Sequence, residues 1–569
     1  MLDIRSIFFN RFPQTKRYPK WLVNSIVYLL QKLFHESEIN EVLTRYGHLE
    51  GLEFIEGVLE YFDTSYIVSN QEKLNIPVSG RVIIVANHPL GALDALSLIS
   101  LVREVRSDVK IVANELLMHV KPLHSLFIPV DVMGGSSTKE HIKGIYRALE
   151  EEQAVIIFPS GEVSRARPTG VRDTKWNKGF LKFAKKTQSP ILPVYIKARN
   201  SSLFYGVSMI NKPAAAFLLA HEMCVNKSLR IGFRVGELIA YHTIKELRIE
   251  EKQTIGLLQK HLYRIGRGKT GIFRTQKCIA HPEDRGELRK ELKNAELLGS
   301  TSDGKRIYLF TYFPESSIIR EIGRLRELTF RKVEEGTGGK RDIDRYDEYY
   351  KHIVLWDEDD LEIVGAYRIG EARYINEHYG HSGFYADGLF DYQQAFDPYL
   401  YDSLEMGRSF VQPRYWGSRA LDYLWQGIGA YLHKHPNVRY LFGPVSLSNA
   451  YPKLAKNMIA HFYALYFPSK EPLVVARNPF VITKSELDEV QGIFSGTDYR
   501  EDFKVLKEKL GAMDLSVPTL YKQYTELCEE GGIVFVDFNI DKDFADCLDS
   551  FIVLDITKIK ESKRTRYIK

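Results

Sequence analysis

Cysteine is scarce in this chain: four among 569 residues (Cys224, Cys278, Cys528 and Cys547), with no Cys-x-x-Cys pair. That excludes a disulfide framework and a cysteine-based zinc motif, and it points to a reducing compartment. No apolar run is long enough to cross a bilayer. The best candidate, Trp21 to Phe34, is short and broken by Asn24, Gln31 and Lys32. The opening residues lack the charged, apolar, small-residue order of a signal peptide. Internal repeats and low-complexity tracts are absent. There is no helix-turn-helix, zinc finger or stacking-aromatic motif, which argues against nucleic acid as a partner. No ligand cluster has metal spacing, so no metal is expected.

What is present is globular. Hydrophobic residues make up 44% and aromatic residues 12%, enough for real cores, and the length suits roughly three or four domain-sized units. The net charge of +5 is modest, but its placement is informative. Arg5, Arg11, Lys16, Arg17 and Lys20 surround Phe8, Phe9 and Phe12 just ahead of the Trp21–Phe34 stretch, a composition suited to an anionic membrane surface. The basic C-terminus, Lys558 to Lys569, reads as a solvated charged end.

Residues 1–75 are expected to form a helical, membrane-associating segment. From 76 to 280 apolar strands alternate with helices (Val82–Ala86, Val109–Val112, Phe127–Val130, Ala154–Phe158, Ile191–Ile196), an α/β pattern built on a mainly parallel sheet. The charged stretch His281–Lys293 reads as a linker or connecting helix. A second α/β unit spans 295–569. It has a hairpin at Ile353–Asp357 and Glu362–Arg368, a strand at Ser403–Val411, a helix at about Ala420–Lys434, and a strand near Tyr440–Leu447.

In the first unit, the run Val82-Ile-Ile-Val-Ala-Asn-His-Pro-Leu-Gly-Ala-Leu-Asp94 is a strand that delivers His88 to its end, then a turn, then a helix whose first turn carries Asp94. On one continuous helix residues six apart face different ways. Pro89 and Gly91 break the helix and let imidazole and carboxylate meet. A histidine oriented by a carboxylate is a general base for a hydroxyl or amine.

Further motifs follow in order: Phe158-Pro-Ser-Gly-Glu-Val-Ser-Arg165, Trp176-Asn-Lys-Gly-Phe180 and Ile191-Leu-Pro-Val194. Together with Asn87-His88 and Asp94 they resemble the glycerol-phosphate and lysophospholipid acyltransferase superfamily, over roughly residues 75 to 245. Five residues rather than four separate His88 from Asp94. The acid of the third motif follows the glycine, as Glu162, which weakens the case for a phosphorylated acceptor. That variant is similar to hemolysin-like or ornithine-lipid-type acyltransferases. The resemblance implies His88 as base toward an acceptor hydroxyl, Asp94 as the group fixing its tautomer, and Glu162 and Arg165 orienting the acceptor.

In the second unit, Arg326-Glu-Leu-Thr-Phe330, Asp344-Arg-Tyr-Asp347, Val364-Gly-Ala-Tyr-Arg368 and Glu405-Met-Gly-Arg408 resemble, in order and spacing, the acetyltransferase-like (GNAT-like) fold shared by acyl-homoserine-lactone synthases and ornithine-lipid N-acyltransferases. The resemblance implies Glu405 as base toward an amine. It also implies Asp344, Asp347, Arg368 and Arg408 around the amino-acid acceptor, and Arg326, Arg414, Gly417 and Arg419 at the acyl donor.

Two such units in one chain resemble bifunctional ornithine-lipid synthases of bacteria. The expected function is N-acylation of ornithine with a 3-hydroxyacyl group from acyl carrier protein, then O-acylation of the 3-hydroxyl. The expected partners are acyl carrier protein, the inner membrane surface and a small amino acid, with no cofactor. The expected location is the cytoplasmic face of the bacterial inner membrane, as a peripheral protein. One rival is a glycine-lipid or other aminolipid or phospholipid acyltransferase. A rival of another class is a membrane-binding hemolysin-like protein, which would need inserting apolar segments and no catalytic dyad.

Overall fold

The computed structural model describes residues 3–11, 13–114, 120–130, 139–167, 170–210, 212–225 and 228–568; Phe12, counted above among the aromatic residues of the start, lies outside them. The chain divides into two compact units, Met1–Cys278 and Ile279–Lys569.

The first unit is built on seven strands: β1 (Ser65–Ile67), β2 (Val82–Ala86), β3 (Val109–Asn114), β4 (Phe127–Val130), β5 (Ala154–Ile157), β8 (Ile191–Lys197) and β9 (Arg230–Val235), with β6 (Arg165–Arg167) and β7 (Gly170–Arg172) forming a separate hairpin. The sheet order is β1-β9-β8-β2-β5-β3-β4, parallel throughout except where β8 meets β9. Every residue of β2 is buried. Val82, Ile84 and Ala86 join the core on one face, while Ile83 and Val85 join the core on the other. A strand covered on both faces reads as an unbroken apolar run, which is why β2 is legible without alternation. The helices Lys20–Leu33, Glu36–Tyr46 and Gly51–Tyr61 of the expected 1–75 segment belong to this unit. None of the helices described is long and apolar enough to cross a membrane.

The second unit is an eight-stranded sheet: β10 (Glu296–Ser300), β11 (Arg306–Thr311), β12 (Lys351–Asp357), β13 (Glu362–Glu371), β15 (Ser403–Val411), β16 (Tyr440–Leu447), β18 (Ile533–Asp541) and β19 (Cys547–Asp555), with β14 (Phe390–Tyr392) pairing β17 (Val474–Ala476) apart from it. The order β10-β11-β12-β13-β15-β16-β19-β18 is antiparallel except for β15 with β16. Along β12 the side chains alternate between cores. Ile353 and Leu355 pack with Leu424 and Ile428 of the helix Ala420–Lys434, and Val354 and Trp356 pack with Ile318 and Ile322 of the helix Ser317–Lys332. The stretch read as a linker contains the helix Arg285–Leu292, which contributes Leu288 and Leu292 to the second core. The fold is thus α/β in both units.

Candidate active sites

β2 ends at Ala86, and Asn87 continues its line with side-chain bonds: Nδ2 donates to Ile196 O at 2.9 Å and Oδ1 accepts from Ile196 N at 2.7 Å. This pins the next residue, His88, at the mouth of the sheet. The chain turns through Gly91, whose φ of +108° suits glycine, into the helix Ala92–Arg103. Asp94, in its first turn, is fully buried; its Oδ2 accepts the Leu90 N–H at 2.7 Å and its Oδ1 lies 3.0 Å from His88 Nδ1. The two atoms are close but not aligned for a linear hydrogen bond, a looseness common in unliganded catalytic pairs. The ring stacks on Phe158 at 4.0 Å and keeps 18% of its side chain exposed. Burial opposes the imidazolium, yet Asp94, aided by Asp173, outweighs it and raises the His88 pKa above 6.5.

Asp173 escaped sequence reasoning. It is buried; it accepts the His88 N–H at 3.2 Å, the Ser164 hydroxyl at 2.5 Å and the Trp176 indole N–H at 2.9 Å. One carboxylate thereby ties the histidine turn to the Phe158–Arg165 loop and to the Trp176 motif, and Ser164 N–H donates to His88 O at 2.7 Å. The only hint lay just ahead of the Trp176–Phe180 motif: an aspartate three residues before its tryptophan. Glu162 and Arg165 do meet, at 3.3 Å, and Arg165 lies over Phe204 with its Nε and Nη1 buried and without hydrogen-bond partners among the described residues. Asp173 also lines a cleft of about 420 Å3 bearing Arg167, Arg172, Lys260, Arg264, Arg267 and Lys269. None of these six cations forms an ion pair among the described residues, so the cleft favours an anion.

In the second unit the charged set forms one buried network. Asp347 accepts from Arg326 at 2.8 Å and from Arg368 at 3.2 Å; Asp344 accepts from Arg368 at 2.6 Å. Arg408 lies 3.6 Å from Asp342 and 3.9 Å from Asp344. Burial works against the Asp347 charge, but Arg326, Arg368 and then His352 overcome it and hold the pKa far below the carboxylate range. His352 is driven down to about 3, chiefly by its burial. Arg326, expected at the donor, is instead a buried member of this network, because Asp347 needs a cation in a place water does not reach. Asp342 and His352 were not foreseen; the Asp342-x-Asp344-x-x-Asp347 spacing was the signal for Asp342, and His352, inside the strand Lys351–Asp357, had none.

Arg408 has φ +48°, rare for a side-chain-bearing residue, within an irregularity between β13 and β15. Such a bulge re-aims a side chain. Here it places the guanidinium 4.8 Å from the Tyr385 ring and 4.7 Å from Phe544. Arg368 Nε and Nη2 and Arg408 Nε are buried without hydrogen-bond partners among the described residues, donors suited to a carboxylate.

Glu405 is buried and occupied. It accepts the Tyr350 hydroxyl, the Tyr385 N–H at 3.1 Å and the Ala386 N–H at 2.7 Å. Burial dominates its titration and pushes the pKa up to about 7. Tyr350, a residue the sequence did not single out, is the side-chain hydroxyl that donates to Glu405.

β15 and β16 pair only over Ser403↔Tyr440 to Glu405↔Phe442 and then diverge. At the fork, Met406, Gly443 and Tyr524 line a cavity of about 10 Å3. A Cβ on Gly443 would fall 2.2 Å from Met406 O. Arg414 is committed to Asp360 and Glu362, while Gly417 (φ +76°) and the exposed Arg419 precede the helix Ala420–Lys434.

Residues 14–275 match the family described as Acyltransferase, and residues 325–426 match the Acetyltransferase (GNAT) domain. A glycine N(alpha)-acyltransferase of Bacteroides thetaiotaomicron is 32% identical over 304 residues, 51% of this chain and 89% of that relative. A lyso-glycine lipid O-acyltransferase of the same organism is 30% identical over 251 residues, 43% of this chain and 90% of the relative. An L-ornithine N(alpha)-acyltransferase of Brucella abortus is 32% identical over 147 residues, 23% of this chain and 50% of that relative. The chain belongs to the family of these aminolipid acyltransferases: it is an acyltransferase enzyme in which an acyltransferase domain precedes a GNAT domain.

Proposed function

We propose that this chain makes a diacylated glycine lipid in two steps. The second unit transfers a 3-hydroxyacyl group from acyl carrier protein to the amine of glycine; the first unit then esterifies the 3-hydroxyl. The observation that carries this reading is the union, in one chain, of likeness to two enzymes whose names describe consecutive acylations. Glycine is favoured over the ornithine expected from the sequence. Of the carboxylates expected around the acceptor, Asp344 and Asp347 are consumed by arginines, which removes them as partners for an ornithine ammonium. The Arg368 N–H groups left without a hydrogen-bond partner among the described residues suit the acceptor's carboxylate.

In the N-acylation, the amine nitrogen bonds to the thioester carbon, the C–S bond breaks, and the amine's proton passes through Tyr350 to Glu405 while the thiolate leaves. In the O-acylation, His88 takes the hydroxyl proton as the oxygen attacks, Asp94 stabilises the imidazolium, and the proton returns to the departing thiolate. The arginine- and lysine-lined cleft beside Asp173 supports an anionic, carrier-borne donor. The exposed Trp21, Tyr28 and Leu29 on the helix Lys20–Leu33 support peripheral attachment to the cytoplasmic face of the inner membrane. Fusion retains a detergent-like intermediate at high local concentration.

The test is expression in a bacterial host lacking aminolipids, followed by mass spectrometry of the lipid extract. A diacylated glycine lipid is expected, with the mono-acylated form accumulating in His88→Ala and neither form in Glu405→Gln. An ornithine mass would replace the acceptor assignment, and undiminished diacyl lipid in His88→Ala would overturn the esterification step.

A further inference from the structure

The turn that joins the helices Lys20–Leu33 and Glu36–Tyr46 holds His35 in the left-handed region, φ 48° and ψ 46°. Its Nδ1 lies 2.9 Å from Glu38 Oε2, and its Nε2 lies 2.8 Å from Nδ1 of His221 on the helix Lys212–Val225. One turn along that helix is the buried Cys224. Ligand atoms of His35, Glu38 and Cys224 all lie within 4.8 Å of one another. Glu38 Oε2 is itself buried with no hydrogen-bond donor directed at it, and no lysine or arginine pairs with Glu38 among the described residues. Three donor groups of three chemistries, on His35, Glu38 and Cys224, therefore converge, and His221, one helical turn before Cys224, adds a second imidazole against His35.

We infer that His35, Glu38, His221 and Cys224 form a structural zinc site that clamps the N-terminal helices to the helix Lys212–Val225. Mixed imidazole, thiolate and carboxylate ligation suits Zn2+, and four protein ligands leave no open position for chemistry. Tetrahedral zinc bonds of about 2.0–2.3 Å place ligands roughly 3.3–3.7 Å apart. For His35, Glu38 and Cys224 the observed spread of up to 4.8 Å closes with about 1 Å of side-chain movement, and His221 joins them by exchanging its hydrogen bond to His35 for the ion. The site escaped the sequence because its two halves are 183 residues apart (from Glu38 to His221) and neither is a contiguous metal motif.

The test uses the purified full chain, incubated with one equivalent of Zn2+, desalted and assayed by elemental mass spectrometry. About one zinc per chain is expected, falling to near background in Cys224→Ser and in His221→Ala, with Cys278→Ser unchanged. Substitution of Co2+ in the unmodified chain is expected to give a thiolate-to-cobalt charge-transfer band, a readout independent of whether the variants fold. Chelation should lower the melting temperature by roughly 5 °C or more. No zinc uptake, uptake unaltered in both variants, or a cobalt spectrum without the thiolate band would overturn the site and leave His35 and His221 as a hydrogen-bonded pair.

Discussion

Replacing Asp94 by asparagine removes one charge and almost no volume. The carboxylate is fully buried, with Oδ2 on the Leu90 N–H and Oδ1 3.0 Å from His88 Nδ1. The Leu90 donor is fixed, so the amide oxygen stays there and the NH2 turns toward the ring. That favours the tautomer protonated at Nε2, which is unable to take a proton from a hydroxyl. It also withdraws the anion that stabilises the imidazolium. Two unit charges about 4 Å apart at an effective dielectric of roughly 20 attract by about 4 kcal/mol. At about 1.4 kcal/mol per decade, the O-acylation kcat falls about a thousandfold, with KM little changed because Asp94 is sealed from the acceptor. The assay supplies an N-(3-hydroxyacyl) amino acid and an acyl thioester and follows the ester by mass. N-acylation by the second unit, measured in the same preparation, controls for folding. A kcat within tenfold of the parent, with both N-acylation and the melting temperature preserved, refutes the role given to Asp94.

Three further outcomes are expected. O-acylation should rise with pH through a midpoint above 6.5, since the raised His88 pKa keeps the ring protonated, and useless as a base, below it; a pH-independent rate from 5 to 8 would contradict this. Glu405 has its pKa raised from 4.5 to about 7, so its contribution to folding is full below 4.5 and is lost as pH rises through about 7; denaturant titrations of Glu405→Gln should lose that part of the pH dependence. Arg326→Ala strips one cation from the buried Asp347 and should destabilise the second unit by roughly 3–5 kcal/mol, seen as a lower denaturation midpoint with loss of N-acylation; a change under about 1 kcal/mol would show the network to be dispensable.

The sequence by itself determined the elements. β2 is an unbroken apolar run because both of its faces are covered, and β15 has the bounds read from its sequence, Ser403–Val411. It also determined the approach of His88 to Asp94, because Pro89 and Gly91 leave the chain few ways to turn and the contact spans only six residues. Which donors remain free was decided by tertiary structure. Arg326 is drawn into the core by Asp347, Asp173 gathers three separate motifs, Tyr350 covers Glu405, and His35 meets His221. Each of these contacts joins residues from different elements. Their energetics depend on burial, which removes water as the competing partner and makes a distant charge or hydrogen bond decisive; no local spacing encodes it.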